Sequence, residues 1–309
     1  MALDQIGQPF QGTIHYWVED SYGSGESAAT LPVSCKVQDV RIGTGDRFIS
    51  LRDIGSALPC HLLKQTHEPT LHLEYHPQCD DTLIDDVVDR IVTTEKLQSL
   101  AFCVGTNVRM SADADDVTYL YIVGCKPETV RISASRNQPY LITVDFMAKS
   151  VATQNAIVGE APAALTGDYL QFNVAGEITK SGGQYLVDVD HLAFIVDSID
   201  VTISHQLTGY TDHDSLYKSY ITEGEMSLEG SVDITLDGGG KYHLGEVLAN
   251  SEFSIQVDMG GSGCPRITLA NCQWNSSEID VNVSGEAMME SAPFTAKPSS
   301  PTNIITSVP

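Results

Sequence analysis

Residues 121–133, YIVGCKPETVRIS, and residues 267–281, ITLANCQWNSSEIDV, decide the fold. In the first stretch Val130 and Ile132 fall on one side, and Thr129, Arg131 and Ser133 on the other. That is the period of two expected of a half-buried antiparallel strand. Each stretch is followed by a similar closing segment, VDFMAKSV (Val144 to Val151) in one case and APFTAKPS (Ala292 to Ser299) in the other. Cys125 and Cys272 stand 147 residues apart, and both Phe146/Phe294 and Ala148-Lys149/Ala296-Lys297 stand 148 apart. Upstream, VQDVRI (Val37 to Ile42) matches VDSIDVTI (Val196 to Ile203), and EPTLHLEYHP (Glu68 to Pro77) matches GEMSLEGSVDI (Gly224 to Ile234). The matched pieces keep the same order, which marks an internal repeat.

Working outward, strand character dominates. Val117 to Val123, Thr129 to Ser133 and Tyr140 to Phe146 are rich in β-branched and aromatic residues. Lys126-Pro127-Glu128 and Arg136-Asn137-Gln138-Pro139 read as the turns between them. Helical signal is sparse: Asp81 to Lys96, with Asp81 as cap and Leu83, Ile84, Val87, Val88 and Ile91 at helical spacing, and a shorter stretch from Tyr242 to Ala249. The expected fold is all-β with minor α. Two similar β-sandwich or barrel units each carry a flanking helix and a long loop. The expected units are residues 1–158, with an N-terminal arm, and residues 159–297. Residues 298–309 read as a mobile tail or an arm that orders on assembly. The joint falls at GEAPAALTG (Gly159 to Gly167).

Each unit has one long polar loop at the same place, Gly43 to Thr66 and His205 to Glu223. Loops of about 20 residues inside a compact domain are uncommon and usually functional. Their apolar residues, Phe48, Ile49, Leu51 and Leu58 in one and Tyr210, Leu216, Tyr217 and Tyr220 in the other, need a neighbour to cover them.

Composition bounds the function. The 309 residues are 42% hydrophobic and 19% charged, which is globular. Asp and Glu number 41 against 17 Lys and Arg, giving a formal charge of −24. Such a chain does not grip nucleic acid by its phosphates and does not dock on an anionic membrane. The acid excess has two readings, adaptation to molar salt or a surface that must repel a polyanion. No stretch approaches the roughly 20 apolar residues of a membrane span. The start, MALDQIGQPF, reads as lacking a secretory signal. The seven cysteines show no CxxC pair and read as buried free thiols in a reducing compartment.

Chemistry is thinly represented. His72, Glu74 and His76 alternate along one strand face and form the best metal candidate, but they lack a fourth ligand at a fixed spacing. The glycine runs Gly238-Gly239-Gly240 and Gly260-Gly261-Ser262-Gly263 fit neither a phosphate loop nor a nucleophile elbow. No catalytic residue, resident metal or cofactor is expected.

The second half resembles the major tail tube proteins of long-tailed, siphovirus-type viruses of bacteria or archaea. VDSIDVTISHQLTGY, LYKSYITEGEMSLEGSVDI, ITLANCQW and ESAPFTAK carry the resemblance, with Gly224 to Gly230 and Pro293-Phe294-Thr295-Ala296 at the family's recurring positions. The first half fits less crisply, with no Pro before Phe146. The resemblance implies β-sandwich domains, six to a ring, and rings stacked into a tube. With two such domains per chain, three chains close a ring; six chains, with the second domain as an outer decoration, is the other arrangement. It further implies that the eight loop residues named above make inter-ring contacts. The partners it implies are further copies of the chain, the tape measure protein, the tail terminator and distal tail proteins. Viral DNA would pass through an acidic lumen without specific binding, in a virion tail assembled in the host cytoplasm. Two other readings stay open: a tube or ring component of another injection machine or distal tail, and a two-domain carbohydrate-binding module or hydrolase.

Overall fold

The alternating VRIS segment lies inside a strand much longer than its own pattern. The computed structural model describes residues 13–25, 31–33, 37–45, 48–51, 61–64, 67–90, 94, 96–106, 118–154, 164–172, 176–180, 184–188, 194–213, 215–236, 252–276, 278–280, 288–297 and 304–307. In the first half, β1 is Thr13–Val18, β2 Leu31–Pro32, β3 Val37–Gly43, β4 Phe48–Leu51, β5 His61–Lys64 and β6 Thr70–Tyr75. Then come α1 (Leu83–Val88), β7 (Leu100–Thr106), β8 (Thr118–Ser135), β9 (Leu141–Met147) and β10 (Ser150–Gln154). In the second half, β11 is Gly176–Lys180, β12 Gln184–Asp188, β13 Phe194–Thr211, β14 Lys218–Leu236 and β15 Glu252–Asp258. The last four are β16 (Pro265–Trp274), β17 (Glu278–Asp280), β18 (Met288–Ala296) and β19 (Ile305–Ser307). The fold is all-β, with one short helix among the described residues, and the described strand pairs are antiparallel.

Strand β8 serves two sheets. Its first half pairs with β7 and β10, and its second half with β9 and β13. The crossing lies at Gly124 to Thr129, where Gly124 has φ 67° and the ladder slips between Pro127 and Thr129. Lys126-Pro127-Glu128, expected to be a turn, is therefore a bulge within a strand. The residue left out of the ladder is Glu128, and Pro127 stands beside it opposite Phe146; a bulge is one of the places where a strand tolerates a proline without an N–H.

The larger sheet runs β3–β6–β9–β8–β13–β14–β18–β17. One face is apolar: Leu71, Leu73, Val130, Ile132, Ile142, Val144, Phe146, Val201, Ile203, Val232, Ile234 and Phe294 are buried. These side chains join one core with Tyr16, Phe102 and Ile122 of the β2–β1–β7–β8–β10 sheet and with Leu83, Ile84, Val87 and Val88 of α1. Two sheets around one apolar layer make a β-sandwich.

The pairing repeats between the halves rung by rung. Val37 opposite Tyr75 recurs as Val196 opposite Ile234, and Asp39 opposite Glu74 as Ser198 opposite Asp233, each with one residue skipped between. Leu71 opposite Phe146 recurs as Gly230 opposite Phe294. Pro127 opposite Phe146 recurs as Trp274 opposite Phe294, and Arg131 opposite Thr143 as Glu278 opposite Ser291. Leu100 opposite Cys125, slipping to Phe102 opposite Ile122, recurs as Phe253 opposite Cys272, slipping to Ile255 opposite Leu269. The backbone repeats as well: Gly124 at φ 67° has its counterpart in Asn271 at φ 53°. Asn is among the side-chain-bearing residues that best tolerate this region.

Other expectations change in detail. The first helix is only Leu83–Val88, with the Leu83 amide donating to the Asp81 carboxylate at 2.9 Å. Arg90 then bridges to Leu97 as strand backbone, which ends it. The second candidate, Tyr242 to Ala249, lies outside the described residues. The joint region is not a free linker along its whole length: Thr166 donates to Asp80 at 2.8 Å, and Leu170 and Phe172 are buried. The C-terminal stretch adds β19 to the edge of β16, with Ile304 and Ile305 buried. Cys79 and Cys264 form a disulfide across 185 residues, which corrects the reading of free thiols throughout. Cys103, Cys125 and Cys272 are buried and take part in no disulfide.

Candidate functional site

Past the main sheet, β13 and β14 continue as a two-stranded arm. The expected polar loop His205 to Glu223 is mostly this hairpin, paired from Leu207 opposite Glu223 to Thr211 opposite Lys218. Exposed residues of alternating polarity look like loop in sequence, because neither face of the arm meets a core of its own. The arm carries the large hydrophobic residues that are exposed among the described residues: Tyr210, Leu216, Tyr217 and Tyr220. Tyr210 and Tyr220 stack across the strands with ring centres 5.0 Å apart. Tyr217 stacks on His67 at 5.0 Å, and the His67 amide donates to the Leu216 carbonyl at 2.7 Å.

The arm is anchored at its root by charge. Lys126, at the β8 crossing, pairs with Glu223; their side chains are 9% and 7% exposed. The second Glu223 oxygen accepts the Leu97 amide at 2.8 Å. A buried pair of this kind needs both partners and extra hydrogen bonds to offset desolvation. In the first half, the corresponding segment carries the β4–β5 hairpin, with Phe48 opposite Lys64 and Leu51 opposite His61. Phe48, Ile49 and Leu51 lie on β4; Leu58 lies outside the described residues. None of these four is brought together with the tyrosines by a described contact.

The outer face of the larger sheet is polar and acidic. Cross-strand pairing aligns Asp39, Glu74, Thr143, Arg131, Thr202, Glu229 and Thr295 in one row. Neighbouring rows on the same face add Arg41, His72 and Asp145, and Asp200 and Asp233. The cations are already engaged. Arg131 spans the β8–β13 junction to Asp200, with Nε 2.8 Å from Oδ2, and Arg41 reaches Asp39 on its own strand.

The metal candidate is dispersed into other contacts. His72 Nδ1 is 2.6 Å from Asp145. His76 Nδ1 is 2.7 Å from the Tyr140 carbonyl, so it carries the proton and Nε2 accepts from Gln38 at 2.5 Å. Among the described residues no group of three His, Cys, Asp or Glu is arranged to hold a metal ion.

A family model described as "Phage tail tube protein" matches residues 91–296. The chain belongs to this family. It is a structural component of a phage tail. No curated protein matches the chain significantly. Sequence reasoning missed Lys126, Glu223 and His67. Lys126 stands in the stretch that carries the repeat, which was the available signal.

Proposed function

We propose that this tail tube protein is the major tube subunit of a long-tailed, siphovirus-type tail. Its two halves, 1–158 and 159–297, act as two tube units in one ring, so that three chains supply six positions. The observation that carries this reading is the eight-strand sheet. It is apolar toward the core, acidic on the other face, and made of two equivalent halves joined side by side.

In a closed ring the acidic face lines the lumen. Asp39, Glu74, Asp145, Asp200, Glu229 and Asp233 outnumber Arg41 and Arg131 there, and both arginines are neutralised locally. Such a wall offers DNA phosphates no counterion-release attraction, and the genome slides past without binding. The exposed tyrosines and Leu216 of the arm, together with Phe48, Ile49, Leu51 and Leu58 of the first loop, contact the next ring. Further partners are the tape measure, terminator and distal tail proteins. Assembly takes place in the host cytoplasm, and the Cys79–Cys264 bond closes once the particle leaves that reducing environment.

Electron microscopy of the purified protein at low and molar salt, with particle mass measured alongside, tests the reading. Hollow rings or tubes with the mass of three chains per ring are expected. Rings of six chains overturn the pseudo-sixfold arrangement, and compact particles at every salt and concentration overturn the tube reading.

A further inference from the structure

Among the described residues the sheet has one lateral joint between its halves, and each of its two outer strands pairs on one side only. At the joint, β13 pairs with β8 from Ser198 opposite Ser135 to Ser204 opposite Thr129. Among the described residues, β3 pairs only with β6, and β17 only with β18. Strand β3 is the counterpart of β13, because Ile42 opposite Leu71 repeats as Val201 opposite Gly230. Strand β17 is the counterpart of the second half of β8, because Ile132 opposite Ile142 repeats as Ile279 opposite Glu290.

We propose that β3 of one copy pairs antiparallel with β17 of a second copy in the register of the internal joint, placing Arg41 opposite Asp280, Ile42 opposite Ile279 and Gly43 opposite Glu278. This rests on the tube reading above and names the surface that closes its ring.

Charge carries the inference beyond symmetry. Inside the chain, the β13 position holds Asp200, and the β8 position diagonal to it holds Arg131; the two form an ion pair. At the open edges the counterparts are Arg41 for Asp200, Glu278 for Arg131 and Asp280 for Ser133. The signs are exchanged and the complementarity is kept. Arg41, whose side chain is 74% exposed, meets two carboxylates in the proposed register. Cross-strand opposite charges stabilise a pairing, and like charges directly opposite destabilise it. The exchange also sorts the edges. A β3 edge set on a β8 edge brings Arg41 against Arg131, and a β13 edge set on β17 brings Asp200 against Asp280 and Glu278. Specificity of this kind needs a repulsive element as well as an attractive one.

The test follows assembly of the full chain by light scattering and electron microscopy. Arg41→Glu is expected to raise the concentration needed for assembly by roughly tenfold or more. Glu278→Arg with Asp280→Arg in the same chain is expected to restore it. Arg41→Cys with Asp280→Cys, oxidised after assembly, is expected to give a chain-to-chain ladder ending at the closed ring; neither single cysteine variant does so. If the wild type forms rings, and Arg41→Glu forms them equally well with no bond in the double-cysteine assemblies, the joint is overturned and the tube reading stands. A wild-type chain that stays monomeric at every salt and concentration overturns the tube reading, and the joint with it.

Discussion

Asp81 lies beside the first turn of α1, 3% exposed, within a group of acids at Asp85, Asp86 and Asp89. Burial pushes its carboxyl up to about 7, helped by the neighbouring carboxylates and opposed by the Leu83 amide. Burial likewise raises Asp85, Asp86 and Asp89 to about 6. Between an unfolded value near 4 and these folded values, the native state holds more protons. Its stability from this group is therefore full below about pH 4 and declines as pH rises toward 7. His205 acts in the opposite direction. It is buried, neither ring nitrogen has a hydrogen-bond partner among the described residues, and burial with nearby Arg90 lowers it to about 4. Its contribution is present above about pH 6.5 and lost as pH falls toward 4. Asp81→Asn is thus expected to raise stability at pH 7.5 by on the order of 2 kcal/mol and to change little at pH 4. His205→Asn is expected to flatten the loss below pH 6.5. Denaturant unfolding at both pH values checks the signs. Glu223→Ala strands the buried Lys126 and is expected to cost about 3–5 kcal/mol in the same assay. None of these roles was legible in sequence, since each depends on which strands cover the group.

At the scale of the element, the arm and the long strands are the instructive cases. Alternation in VRIS and ITVDF predicted strands because one face of each meets the core, and the structure places β8 and β9 there. The same alternation failed to announce the β13–β14 arm, whose faces are largely open. The Lys126-Pro127 signal, sound for a turn, marked a crossing between sheets because a neighbouring strand supplied the pairing on each side. Burial of β19 was likewise illegible, since an edge strand takes its place from its partner and not from its own pattern. The arm yields a direct prediction. Tyr210→Ser, Tyr217→Ser and Tyr220→Ser in one chain, or deletion of residues 48–58, is expected to leave a folded chain that still forms rings but not long tubes. Circular dichroism and electron microscopy together check this. Tubes of wild-type length overturn the assignment of these segments to inter-ring contact.

At the scale of the whole molecule, the ladders of the two halves run in matching registers, down to the skipped residues and the left-handed Gly124 and Asn271. The acid face follows from the same alternation once the register is known, whereas composition alone gave only the excess. The Cys79–Cys264 bond was hidden, because 185 residues and no motif separate its ends. Cys79 follows β6 in the first half and Cys264 precedes β16 in the second, so the bond is a covalent rivet between the two halves. Counted along the repeat, the sequence positions equivalent to Cys264 and Cys79 in the opposite halves are Val117 and Gly238, neither of them a cysteine. A tube assembled as proposed would have lateral seams of two kinds in alternation, one carrying the disulfide and one held by strand pairing alone. Under pressure from within, or in denaturant, the seam without the disulfide is expected to part first. The wall would then open between chains, while within each chain the two halves stay riveted face to face.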